Sequence, residues 1–252
     1  MPTRNGEGEL GGDITSVIFG VDGVIIDSAR TSAGAWKTVF DPFLRTYAAA
    51  HETVFVPFDV WKDFFRYMHG KPRLAGARDF LASRDIRLPY DDLRGLTTRE
   101  EEFFLAEVHR HGVSPFASAV TLIRESRRRG IHTAAVSAQR HGTEVLRSAG
   151  VAGMFDIVLD GLDAPGTGLP SNPDSALFVQ AALRLGDQPR HTAVVEETAA
   201  AVTAAQRGGF GLVIGVDVLG GSALAEHGAD LVVTDLSELR LVGRHHAAVQ
   251  HA

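Results

Sequence analysis

Three carboxylates in this sequence stand where a short apolar run ends. Asp22 follows Ile14–Phe19 (ITSVIF) inside the segment Phe19–Ser28, FGVDGVIIDS, and Glu196–Glu197 close the run HTAVVE (191–196). A carboxylate at a strand's end can cap the following turn, or take and give protons at a ligand site. Alternation along a strand puts residues 20 and 22 on one side, and Gly23 permits a tight turn after them. Ser137 ends a third such run, HTAAVS (132–137). Lys71 and Arg73 follow Gly70 at the start of a helical stretch. There they can meet an anionic substrate or stand in a solvated turn. Other chemistries are disfavoured. The chain has no cysteine, so it offers no thiolate and no disulfide. Its 11 histidines show no H-x-x-x-H or H-E-x-x-H spacing, and Ser137 lacks the G-x-S-x-G elbow. The Arg127–Arg129 run ends a helix before Gly130, where cations suit the helix dipole and solvent.

The elements around these residues alternate. Runs at 14–19, 132–137, 155–159, 191–196, 211–216 and 230–233 are short and apolar, as buried parallel strands are. Helical patterns at 117–129, 142–149, 174–185 and 199–207 separate most of them. The fold expected is α/β, a doubly wound parallel sheet with helices on both faces. One interval, 29–111, carries helical periodicity and no strand run, and is expected to form an inserted all-helical cap. Trp36, Phe40, Trp61, Phe64, Phe65 and Tyr67 are expected mostly in that cap's core. Residues 14–28 and 112–240 would form the sheet-containing core. The Gly-rich residues 1–13 are expected to be disordered, and 241–252 to be a loose tail.

The chain of 252 residues is 44% apolar and 22% charged, ordinary for a globular protein. A net charge of −6 leaves no basic surplus for nucleic acid or anionic lipid. No stretch approaches the length of a membrane span, and the N-terminus lacks a signal-peptide apolar segment. The expectation is a cytoplasmic monomer or homodimer that binds a small molecule, with no nucleic-acid or membrane partner.

FGVDGVIIDS resembles the first motif of the haloacid dehalogenase-like (HAD) phosphatases and mutases, roughly F-D-x-D-G-V-[LI]-x-D-S. VSAQ (136–139) is similar to the second, in which a Ser or Thr ends a strand and holds phosphate; Ser137 and Ala138 stand there. Gly168–Gly186 is similar to the third motif, G-K-P-x-P-D-x-F, and Val194–Val216 to the fourth, V-x-E-D-[AS]-x-x-G-V. His69–Ile86 resembles the cap of β-phosphoglucomutase-like members. The resemblance spans residues 14 to 240 and implies a Rossmann-like core with an inserted helical cap.

The departures concern the chemistry. Gly20 stands where the family has its nucleophilic Asp, and glycine cannot attack phosphorus. Leu169 stands at the neutralising Lys and Ser32 at a His. The fourth motif's E-D pair is Glu196–Glu197. The resemblance gives Asp22 the general acid/base role and makes Glu197 the residue to hold Mg²⁺ if any does. With Gly20 for a carboxylate ligand, Mg²⁺ is expected to bind weakly, and no other cofactor is expected. Without Lys and metal, the like charges of Asp22, Glu196 and Glu197 would raise one another's pKa, leaving a carboxyl able to donate a proton. That suits dehydration, isomerisation or cyclisation of a small metabolite. A non-catalytic scaffold and a residual Mg²⁺-dependent phosphatase or phosphomutase are the alternatives.

Overall fold

The computed structural model describes residues 8–163, 175–218, 220 and 223–242. The chain divides into two compact units, residues 1–26 with 114–252, and residues 27–113.

The first unit is built on a six-stranded, all-parallel sheet. Its strands are β2 (Ser16–Gly20), β3 (His132–Val136), β4 (Ile157–Leu159), β5 (Thr192–Glu196), β6 (Leu212–Val216) and β7 (Leu231–Val233), in the order β4-β3-β2-β5-β6-β7. Every residue of β2 and β5 is buried, which is why these central strands read as unbroken apolar runs. Helices α4 (Ala117–Arg128), α5 (Gly142–Ser148), α6 (Ala176–Arg184) and α7 (Ala199–Arg207) make the connections. Phe178, Ala181 and Ala182 of α6 and Val202, Ala204 and Ala205 of α7 pack with Ile18, Val136, Val194 and Val213 of the sheet. From β2 the chain winds outward through β3 and β4, then crosses back to β5 and winds the other way. The reversal falls between β2 and β5. Open α/β sheets bind ligands outside the strands' carboxyl ends at such a point.

Two short strands were not expected. β1 (Gly8–Gly11) pairs in parallel with β8 (Leu239–Val242), Leu10 opposite Leu241. The expected disorder of residues 1–13 therefore does not extend to 8–11, and residues 241 and 242, expected in a loose tail, belong to β8. The reason is tertiary: Leu10 and Leu241 are buried, and pairing with a distant strand orders a Gly-rich segment that local propensity would not. Residues 1–7 and 243–252 lie outside the described residues.

The second unit, 27–113, compares with the expected cap of 29–111. It holds α1 (Ala29–Ala50), a single π-turn (Phe64–Met68), α2 (Arg73–Ala82) and α3 (Tyr90–His111), with no strand among its residues. Phe40 is the hub of its core, stacked on Trp36 (ring centroids 5.1 Å apart) and packed on Phe80 (4.6 Å). Phe64 belongs to this core, and Phe65 and Tyr67 pack against it partly buried. Trp61 does not. It is 68% exposed and stacks on Phe65, because it stands in the turn before the helical residues and not on their inward stripe. No helix among the described residues is long and apolar enough to cross a membrane.

Candidate active site

The carboxyl ends of β2, β3, β4 and β5 carry, in turn, Gly20 and Asp22, Ser137, Asp160, and Glu196 with Glu197. After β2 the backbone turns sharply. Ile25 and Ile26 N–H donate to the Val21 carbonyl, and Gly23 N–H donates to the Ile26 carbonyl. Gly23 sits at φ +68°, which a glycine adopts without strain. It also leaves room for Glu197, since a Cβ on residue 23 would collide with that carboxylate. This loop and the Ile26–Pro115 bridge present Asp22, part-exposed, at the sheet's edge.

Gly20 has a related consequence. A Cβ built on it would lie 2.6 Å from Glu196 Oε1 and 2.7 Å from its Cδ. The Glu196 carboxyl thus lies over residue 20, where a side chain at that position would begin. Glu196 Oε2 accepts the Glu197 backbone N–H at 3.1 Å. The side chain is buried at the end of a central strand with the like charge of Asp22 nearby.

The electrostatics follow from that burial. Desolvation pushes the Glu196 carboxyl up to about 8; the Glu197 N–H opposes this and Asp22 adds to it. Glu197 is pushed to about 9, by burial first, then by the charges of Glu196 and Asp22. The neighbouring charges that raise the two groups are those of other acids. The sequence explains part of this. The three lysines of the chain, Lys37, Lys62 and Lys71, all lie within 27–113, so the unit that carries these carboxyls contains no lysine at all.

Ser137 is buried at the end of β3, its Oγ accepting the Gln139 N–H at 3.1 Å. Ala138 beside it is exposed. The loop they begin is tied to β4 twice through backbone, Ser137 N–H to the Leu159 carbonyl and Gly161 N–H to the Gln139 carbonyl. A third tie is Asp160, which takes the Thr143 hydroxyl at 2.7 Å on Oδ2 and the Leu162 N–H at 3.0 Å on Oδ1. Asp160 was not singled out from sequence. The signal was present, because it follows the run 155–159 as Asp22 follows 14–19.

Lys71 and Arg73 belong to the other unit. Lys71 Nζ pairs with Asp79 at 3.2 Å; Arg73 Nε pairs with Glu100 at 2.6 Å, and its Nη1 lies 3.5 Å from Glu101. Leu169 lies outside the described residues.

Carboxylate oxygens are the donors that Mg²⁺ prefers. Their arrangement does not fit it, however. One Glu196 oxygen takes a backbone N–H and the other leans over Gly20, and among the described residues no group of three or more His, Asp or Glu is set to hold a metal. No step is therefore routed through a metal. A cation bound here would hold both glutamates ionised, reversing their proton affinities.

Residues 14–209 match the family model described as haloacid dehalogenase-like hydrolase. The chain is 31% identical over 239 residues to a β-phosphoglucomutase of Mycobacterium bovis, covering 90% of this chain and 91% of that one. It resembles the structure of a HAD family hydrolase from Deinococcus radiodurans with bound phosphate and sodium (TM-score 0.66, 25% identity, 90% of this chain and 93% of that one). The β-phosphoglucomutase structure from Clostridium difficile, 19% identical, shares the fold (TM-score 0.68, 90% of this chain and 93% of that one). A parallel sheet with a central carboxylate edge and an inserted helical cap, matched over nine-tenths of both chains, places this protein in the haloacid dehalogenase-like family, within its β-phosphoglucomutase-like subgroup.

Proposed function

We propose that this chain is a HAD-fold enzyme performing carboxyl acid/base chemistry on a small molecule, in place of phosphoryl transfer through residue 20. The observation that carries this reading is the Glu196 carboxyl lying over Gly20. A side chain that could attack phosphorus is missing, and a carboxyl fills the start of its space. The absence of lysine from residues 1–26 and 114–252 supports it, because that unit cannot supply an ammonium to neutralise a transferring phosphoryl group.

The chemistry is a matched pair of proton transfers. A neutral glutamic acid, Glu196 or Glu197, donates its proton to a departing hydroxyl. The C–O bond breaks and water leaves. A carboxylate, Asp22, takes a proton from the neighbouring carbon, and the electrons of that C–H bond form the new double bond. Without a leaving group the same two transfers move a double bond, which is isomerisation. Acid and base are kept distinct by burial: Glu196 is buried at the end of β5 while Asp22 is part-exposed.

The test compares products. Metabolite extracts incubated with wild type and with Asp22→Asn are profiled by mass spectrometry, and phosphate release is assayed with and without Mg²⁺. Loss of an acid/base group typically costs about 10²–10⁴-fold. The expected outcome is a product formed by wild type, lost on that scale in Asp22→Asn, with phosphate release at background. Identical profiles would defeat the enzymatic reading. The relatives named β-phosphoglucomutase favour one second reading, a Mg²⁺-dependent phosphatase or phosphomutase. Mg²⁺-dependent phosphate release that disappears in Asp22→Asn would establish it.

A further inference from the structure

The arginine run that ends α4 takes no part in the site above. Residues 124–129 read RESRRR, four arginines in a short stretch of a chain whose net charge is −6. Cations suit the last turn of a helix, which accounts in part for Arg127 and Arg128. It does not account for Arg124, a turn earlier. Arg124, Arg127 and Arg128 stand at i, i+3 and i+4, on one face of the helix. With Gly153 and Met154 they line an open surface pocket of about 580 Å³. Arg129 is not part of that lining. Its Nη1 donates to the Leu241 carbonyl at 2.6 Å and its Nε pairs with Glu125 at 2.8 Å.

Few carboxylates meet this charge. Arg128 shares Glu125 with Arg129, its Nη2 at 2.5 Å from Oε2. Arg127 Nη2 reaches Asp156 only at 3.8 Å, and its Nη1 donates to the Gly153 carbonyl at 3.3 Å. Asp156 is also engaged by the sheet, its Oδ2 accepting the Thr133 N–H at 2.8 Å. Arg124 makes no ion pair among the described residues. Four guanidiniums therefore share two carboxylates, Glu125 and Asp156. The pocket also stands apart from the acidic edge. α4 ends where β3 begins, and Met154, whose carbonyl accepts the Thr133 hydroxyl at 3.4 Å, precedes β4. The length of β3, about 16 Å, separates the two ends of the sheet.

We propose that this pocket binds a small polyanion, a diphosphate or a di- or tricarboxylate, at a site separate from the carboxylate edge. Guanidinium groups keep their charge at any physiological pH and present paired N–H donors that match phosphate and carboxylate oxygens. Side chains three and four positions apart on a helix stand about 5–6 Å from one another, so the anion that fits carries two or more charges within that span. Pockets for small molecules run roughly 300–1,000 Å³, which includes this one. A nucleic acid would need an extended basic face, whereas this charge is confined to one end of one helix in an acidic chain.

The experiment is titration calorimetry on the full chain without divalent metal, with pyrophosphate and citrate as probes at constant ionic strength. Wild type should bind at least one of them saturably, and the tighter of the two tells whether the group recognised is phosphoryl or carboxylate. Replacing both Arg124 and Arg128 by Ala should weaken that binding at least about tenfold, the scale of a lost charge-assisted hydrogen bond. Both side chains are exposed, so the variant keeps the fold. Arg124→Lys, which keeps the charge without the fork, should recover part of the affinity lost in Arg124→Ala. Glu125→Gln removes the carboxylate that competes for Arg128 and should tighten binding. Asp22→Asn, at the other end of the sheet, should leave it unchanged. Absence of saturable binding by wild type would overturn the proposal. So would equal affinity in wild type and the double variant, which would place the anion elsewhere on the chain.

Discussion

Glutamates raised by burial occur in both units, and the two places give them different neighbours. On α3, Glu100 is shielded from water but faces a guanidinium at 2.6 Å. At the end of β5, Glu196 is buried and Glu197 part-buried, and the like charge of Asp22 raises both. The same side chain pairs with a cation in one setting and lies beside another acid in the other. Burial raises all three carboxyls; at Glu100 the charge of Arg73 works against it, and at the end of β5 the charge of Asp22 adds to it. In a unit with no lysine, the carboxyls at the sheet's edge are raised by burial and by one another's charge.

The largest difference should appear when the arginine is removed. Arg73→Ala leaves Glu100 buried without its counter-charge, and breaking a buried pair typically costs about 3–5 kcal/mol. Removing Asp22, a like-charged neighbour, should cost nothing and stabilise slightly. Urea unfolding of the two variants at pH 7 measures both. A loss of less than about 1 kcal/mol in Arg73→Ala would show that Glu100 needs no partner and erase the contrast.

Next in size is the pH dependence of stability. The folded-state proton affinities of Glu196 and Glu197 lie above the ordinary value of 4.5, at about 8 and about 9. Between these limits the folded state binds more protons than the unfolded one. Stability is then full below about pH 4.5 as far as these groups are concerned, and falls as pH rises toward 9. Glu197 is part-exposed, so solvent screens it and the fall should be roughly 1–3 kcal/mol in all. Glu196→Gln, which removes the buried member, should flatten the larger share of the slope in melting temperature between pH 6 and pH 9, and Glu197→Gln the smaller. An unchanged slope would place the titration elsewhere.

The smallest effect concerns residue 20. Gly20→Asp must displace the Glu196 carboxyl, but this is the far end of a flexible side chain, so the cost should be about 1 kcal/mol or less. It also adds a carboxylate oxygen donor. Mg²⁺ should therefore raise the melting temperature of Gly20→Asp more than that of wild type. Equal shifts would mean that residue 20 does not govern metal affinity.

Much of this was legible in the sequence, and the exceptions have physical reasons. The six strands of the main sheet were readable because buried parallel strands are short, continuous apolar runs. Asp22, Glu196 and Glu197 were readable because they interrupt such runs at their ends. The strands β1 and β8 were not, since GELG has little propensity of its own and is ordered by a partner more than 200 residues away. Glu100 was hidden in the acidic stretch REEEFF, which reads as a solvated face. Its clue lies in the spacing: Leu93, Thr97, Glu100, Phe104 and Val108 form one buried stripe of α3, and Glu100 is the acid within it. Trp61 erred the other way, an aromatic residue taken for core that the chain leaves in water.

The most direct test of a neutral carboxylic acid at the sheet's edge is carboxyl ¹³C NMR on protein labelled at the glutamate side chain, titrated from pH 4 to pH 10 without divalent metal. Two resonances should titrate near 8 and 9, and should be assigned by their disappearance in Glu196→Gln and Glu197→Gln. Both glutamates titrating between pH 4 and pH 5 would contradict the acid/base site.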